Sequence, residues 1–168
     1  MQALIRAIEA ASDKVGIVGS LLIVPLVLST CYEVFARYLF DSPTIWAYEV
    51  GYMLTGSHFL LGLAYTLRAG EHIRIDIFSG KFSARTRALI DLLGYTVLLP
   101  MLIWLTLALS RYFWNGYVAN EKSGQSAFNM PVWPFRLVFL TAFALLALQV
   151  LAEVIKLVRT LRSTQQAA

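Results

Sequence analysis

The chain has 168 residues, of which 58% are hydrophobic and 14% charged, and a formal net charge of +4. That balance lies well outside soluble averages and places the chain in the membrane class, while its basic residues are too scattered among apolar stretches for a nucleic-acid partner. One cysteine, Cys31, excludes an internal disulfide, a multi-cysteine zinc site and a cysteine-ligated iron–sulfur cluster.

In residues 1–14, Leu4, Ile5, Ile8 and Ala11, continued by Val15, recur at helical spacing, which predicts an amphipathic lead-in lying on the membrane surface. A first transmembrane span is predicted over 15–36, with Pro25 as a tolerated kink. This run is longer than the apolar part of a secretory signal, and Glu9 and Asp13 sit among the preceding basic residues, so a retained helix is the reading. The span ends in CYEVFARYLF, where Glu33 and Arg37 are four apart and share a helix face.

Asp41-Ser42-Pro43-Thr44 reads as a turn, because Pro43 disfavours helix at Ser42. The second span, 47–67, approximates the roughly 20 residues a bilayer crossing needs, yet contains Glu49 and His58. Its exit, 68–87, carries Arg68, Arg74, Lys81, Arg85 and Arg87. Within it Ile73, Ile75 and Ile77 alternate with polar residues, and Asp76 could cap an amphipathic turn turning Ile77, Phe78 and Phe82 to lipid; an ordinary solvated loop fits as well. A third span is predicted over 88–110, with Asp91 near its start and Pro100 in its middle, and a fourth over 132–155, with Arg136, Gln149 and Glu153.

Four spans put the N-terminus, the 68–87 segment and the C-terminal tail on one side. Most Lys and Arg then fall there, leaving Arg37, Arg111, Lys122 and Arg136 on the other, so the positive-inside rule places both termini in the cytoplasm. Trp46, Trp114, Tyr117 and Trp133 fall at the outer interface as an aromatic belt. The expectation is an all-α integral membrane protein, one domain of four transmembrane helices with both termini inside and an amphipathic cytoplasmic segment between helices two and three.

At similar depth, Arg37 would face both Glu33 and Glu49, as an ion-paired clamp between the first two spans or as a contact to another protein. Glu49 lies too near the aqueous edge for an ion-coupling site. His58 reads as a neutral histidine hydrogen-bonded to another helix; a haem would want a second histidine at its depth, and His72 is in the loop. Asp91 beside Arg87, and Glu153 beside Lys156, read as interfacial charges. Gly51, Gly56 and Gly62 permit close helix approach, within the chain or from another subunit. No enzyme motif is present, and four spans lack the inverted repeats of a self-sufficient carrier.

The order Glu33…Arg37, Trp46-x-x-Glu49, His58-x-x-x-Gly62-x-Ala64-x-x-x-Arg68 and Glu71-His72-Ile73-Arg74-Ile75-Asp76 resembles the small membrane subunit of TRAP transporters, the tripartite ATP-independent periplasmic (DctQ-like) family. The Glu121-x-Ser123 and Pro131-x-Trp133 stretches are similar to that family too. The resemblance implies a non-catalytic scaffold subunit in the inner membrane of a bacterium or archaeon. Its implied partners are membrane lipid, a large membrane subunit that carries the substrate path and sodium sites, and a periplasmic binding protein. It implies no cofactor and uptake of organic acids. Arg37, Trp46, Glu49, Arg68, His72, Arg74 and Asp76, with Glu33, become structural or subunit-contact residues, none of them touching substrate. A redox or haem-carrying membrane anchor and an autonomous small transporter are the alternatives.

Overall fold

The computed structural model describes residues 2–70 and 84–166. Among the described residues the chain forms five helices: α1 (Gln2–Leu21), α2 (Ile23–Leu39), α3 (Ala47–Ala69), α4 (Ala84–Val118) and α5 (Trp133–Gln166). No strand forms among the described residues, only an isolated antiparallel bridge between Lys122 and Pro131 in the α4–α5 connection.

The α1–α2 break has a covalent cause. Pro25 lacks the N–H that would pair with the carbonyl four residues back, and its ring crowds that carbonyl. The helix therefore tightens and breaks at Leu22, whose N–H reaches only to Gly19 O (3.2 Å). At the other end of α2, Asp41 takes a left-handed conformation (φ 50°) and Ser42 N–H donates to Ala36 O at 3.0 Å, turning the chain sharply into α3. Gly70 closes α3 at φ 72°, with its N–H on Leu67 O and Thr66 O; a side chain there would be strained.

Helix α3 is central, packed by α1 and α2 on one side and by α5 on another, while α4 packs on α5. Close approach depends on small residues. A Cβ at Gly16 would meet the Tyr65 side chain at 2.7 Å, one at Gly19 would meet Leu61 at 2.9 Å, and one at Gly56 would meet the Phe135 ring at 2.7 Å. Gly56 thus serves packing within the chain, whereas Gly51 and Gly62 face open space. Gly56→Val is expected to destabilise the bundle by about 1–3 kcal/mol, the usual cost of overpacking, readable as a lower unfolding temperature in detergent.

Among the described residues, three stretches are long and apolar enough to cross a membrane: Gln2–Leu39, Ala88–Val118 and Trp133–Leu161. Their outward faces stay exposed, with Phe35, Leu93, Val97, Trp104 and Leu107 among the large apolar side chains left uncovered. Helix α3 matches them in reach, at about 35 Å for its 23 residues. Its polar residues Glu49, Ser57 and His58 sit where neighbouring segments cover or bond them. At about 52 Å for 35 residues, α4 far exceeds the roughly 30 Å of hydrocarbon.

Residues 2–14 do not form a separate surface helix. They continue into the first apolar span, and part of the face expected to meet lipid is covered by protein: Ile5 and Ile8 pack on Ala152 and Ile155 of α5, while Leu4 stays exposed. Periodicity thus found the buried Ile5 and Ile8 and left their partner unspecified. Polar neighbours complete the contact. Ser12 Oγ donates to Gln149 Oε1 (3.0 Å), both residues being fully buried, and Lys156 Nζ bonds Glu9 Oε1 (3.0 Å) and Glu153 Oε1 (2.5 Å).

Candidate functional site

Among the described residues, one set of polar side chains lies at the end of the bundle that holds the α2–α3 and α4–α5 connections. There Glu33 gathers the α2–α3 turn. Arg37 donates to Glu33 Oε1 through Nε (3.0 Å) and Nη2 (2.5 Å), and Glu33 Oε2 accepts from Thr44 N–H (2.9 Å) and from the Thr44 hydroxyl. Thr44 Oγ1 in turn accepts from Ala47 N–H at 3.3 Å, so the same residue that anchors the turn also satisfies a free donor at the start of α3. Trp46, just before α3, stacks on Tyr32 with ring centroids 5.8 Å apart. The Glu33–Arg37 pair is as the spacing predicts, since an i, i+4 contact needs only the helix.

The three-residue clamp is not formed. Glu49, with no exposed surface, points away from Arg37 and into the α4–α5 connection. Its Oε1 accepts from Ser126 Oγ (2.5 Å) and Asn129 N–H (3.2 Å), and its Oε2 from Met130 N–H (2.8 Å). The reason is geometric: Arg37 folds back one turn onto Glu33, while residues 126–130 offer Glu49 two backbone donors and a hydroxyl. That connection is itself preorganised by Ser123 N–H to Met130 O (2.8 Å), Gly124 N–H to Asn129 Oδ1 (3.0 Å) and Val132 N–H to Glu121 O (3.1 Å). Asn129 is left-handed (φ 52°), which suits Asn better than most side chains.

A second anchor at this end escaped the sequence reading. Arg136, 7% exposed, sends Nη2 to Glu121 Oε1 (2.6 Å) and Nη1 to Tyr112 O (3.3 Å), with its guanidinium 3.7 Å over the Tyr112 ring. The signal was present in a buried-looking arginine at the start of an apolar run, followed back to Glu121, but their contact depends on how the intervening loop folds. Tyr117 meets both Trp114 (6.2 Å) and Trp133 (5.7 Å), so those three belt aromatics lie at one end.

Farther along the bundle, His58 Nδ1 donates to Gly19 O at 2.9 Å, the interhelical hydrogen bond that was expected. Its acceptor sits at the Pro25-induced break, where the regular helix ladder is interrupted. At the opposite end Arg68 pairs with Asp13, tying α3 to α1; Asp13 had no assigned partner in the sequence. His72, Arg74 and Asp76, with the proposed turn at Ile77, Phe78 and Phe82, lie outside the described residues. Among the described residues no three His, Cys, Asp or Glu side chains converge as a metal site.

A helical bundle with uncovered apolar faces, whose described charges tie helices and connections together, is that of a multi-pass membrane protein. Residues 26–160 match the family described as tripartite ATP-independent periplasmic transporters, DctQ component. The chain belongs to this family, as a small membrane subunit of a TRAP transporter. A comparison with curated proteins gives no match.

Proposed function

We propose that this chain is the non-catalytic scaffold of a sodium-coupled TRAP transporter importing organic acids, bracing the large membrane subunit and helping the periplasmic binding protein to dock. The family match over residues 26–160 carries the reading. The clamps support it: ion pairs and hydrogen bonds fix both loops at one end, as a brace requires, and leave the outward faces of α2 and α4 exposed for lipid or a partner helix. The proposed topology has α3 as a fourth crossing, the termini and Arg68, His72, Arg74 and Asp76 at the cytoplasmic face, and the Glu33–Arg37, Trp46 and Glu49 end outside. In a Cys31→Ser background, a cysteine at Asn120 should be labelled from outside and one at Ala69 only from inside.

Arg37 is 55% exposed on its side chain despite its bond to Glu33, so its unused donors face outward. In the assembled transporter, Arg37→Ala should leave the stability of this chain nearly unchanged, within the 0–1 kcal/mol typical of exposed pairs. It should nevertheless lower recovery of the large subunit on co-purification, or lower uptake, with binding-protein affinity for substrate unaltered. Unchanged assembly and uptake would remove Arg37 from the interface.

A further inference from the structure

Along the α1–α3 seam runs an open groove of about 570 Å³, lined by Asp13, Gly16, Ile17 and Ser20 of α1 and by His58, Gly62, Tyr65 and Arg68 of α3. The helices are antiparallel here, since Asp13 meets Arg68, Gly16 meets Tyr65 and Gly19 meets Leu61 and His58. One end of the groove is charged and the walls beyond it are mainly apolar or small. His58, its Nδ1 engaged by the Gly19 carbonyl, closes the far end.

The groove matches one leaflet. From Trp46, Arg68 is about 33 Å along α3 at 1.5 Å per residue, one hydrocarbon thickness from the aromatic end; His58 is about 18 Å along, close to the midplane. The Arg68 to His58 length is therefore about 15 Å, half the hydrocarbon core, with the charges at headgroup level. Arg68 and Asp13 are each about one-third exposed, at 35% and 33%, and together neutral. A guanidinium has five N–H donors and one carboxylate cannot use them all, so Arg68 retains donors for a phosphate; Asp13 retains acceptor sites for an ammonium. A lipid with a net negative headgroup would place its extra charge beside Asp13, whereas a zwitterion would not.

We propose that this groove holds one inner-leaflet phospholipid with a primary-amine zwitterionic headgroup, phosphate on Arg68, ammonium on Asp13, and an acyl chain along Ile17, Gly62 and Tyr65 toward His58. The site rests on the topology proposed above, which the cysteine labelling tests separately: a chain that crosses four times and holds no lipid overturns the groove alone.

The test is native mass spectrometry of the full chain, purified in mild detergent and exchanged against equimolar phosphatidylethanolamine, phosphatidylcholine and phosphatidylglycerol. One phosphatidylethanolamine should be retained, favoured about tenfold over each of the others, the worth of one charge-assisted hydrogen bond. Asp13→Asn should abolish the preference. Gly62→Leu, whose added atoms enter open space in the groove without touching the ion pair, should displace the lipid, while Gly94→Leu, equally open but on α4, should not. Phosphatidylglycerol retained as well as phosphatidylethanolamine, full retention in Gly62→Leu, or no retained phospholipid would each overturn the assignment.

Discussion

Glu49→Ala is expected to cost about 3–5 kcal/mol. The carboxylate is fully buried, and its loss strands the N–H groups of Asn129 and Met130 together with the Ser126 hydroxyl. Each unsatisfied buried donor costs on the order of 1–3 kcal/mol, reduced here because the connection can partly open to water. Glu49→Gln keeps the volume and one acceptor oxygen but turns an amide NH2 toward N–H donors, so about half the loss should remain. Unfolding in detergent reads the magnitude. Hydrogen exchange reads the place: the Asn129 and Met130 amides should exchange much faster in both variants, while those of α2 stay protected. Slow exchange at Met130 in Glu49→Ala would mean that the carboxylate does not hold this connection.

How far such contacts can be read from sequence depends on their span. Glu33 and Arg37 lie four apart on one helix, so spacing alone predicts the pair. Glu49 lies two residues into α3, at the same end of the bundle as Glu33 and Arg37, but position along a helix cannot choose between Arg37 and a loop about eighty residues later; the backbone donors of Asn129 and Met130 carry no side-chain signature. The same limit misdirected residues 1–14. Their apolar stripe was legible, yet lipid and an α5 surface are equally apolar, and only the meeting of Ser12 with Gln149 and Glu9 with Lys156 distinguishes them. His58 was readable as an interhelical donor because an imidazole at membrane depth needs a partner; its acceptor became intelligible once Pro25 was seen to break the helix beside Gly19. Helix α3 escapes a hydropathy criterion for membrane spans because it carries Glu49, Ser57 and His58 at positions that other segments of the chain cover or bond.

Gly116→Ala should destabilise the chain by about 2–4 kcal/mol, although the same change in an unencumbered helix gains about 1 kcal/mol. Gly116 lies inside α4, and a Cβ there would overlap Arg136 Nη1 and sit 2.9 Å from its Cζ. The guanidinium would have to leave. With it go the 2.6 Å bond to Glu121, the 3.3 Å bond to the Tyr112 carbonyl and the stacking over the Tyr112 ring, and a charge that was 7% exposed must find water near the start of α5. A cycle with Arg136→Met isolates this cause. Once the guanidinium is gone, the methyl group has only helix propensity to act through, so Gly116→Ala should become neutral or stabilising in the Arg136→Met background. A Gly116→Ala that is equally destabilising in both backgrounds would place the obstruction elsewhere than in the arginine. One that stabilises the parent chain would mean the guanidinium does not occupy the seat between α4 and α5. The sign reversal is the signature expected of a position kept glycine to admit a buried charge.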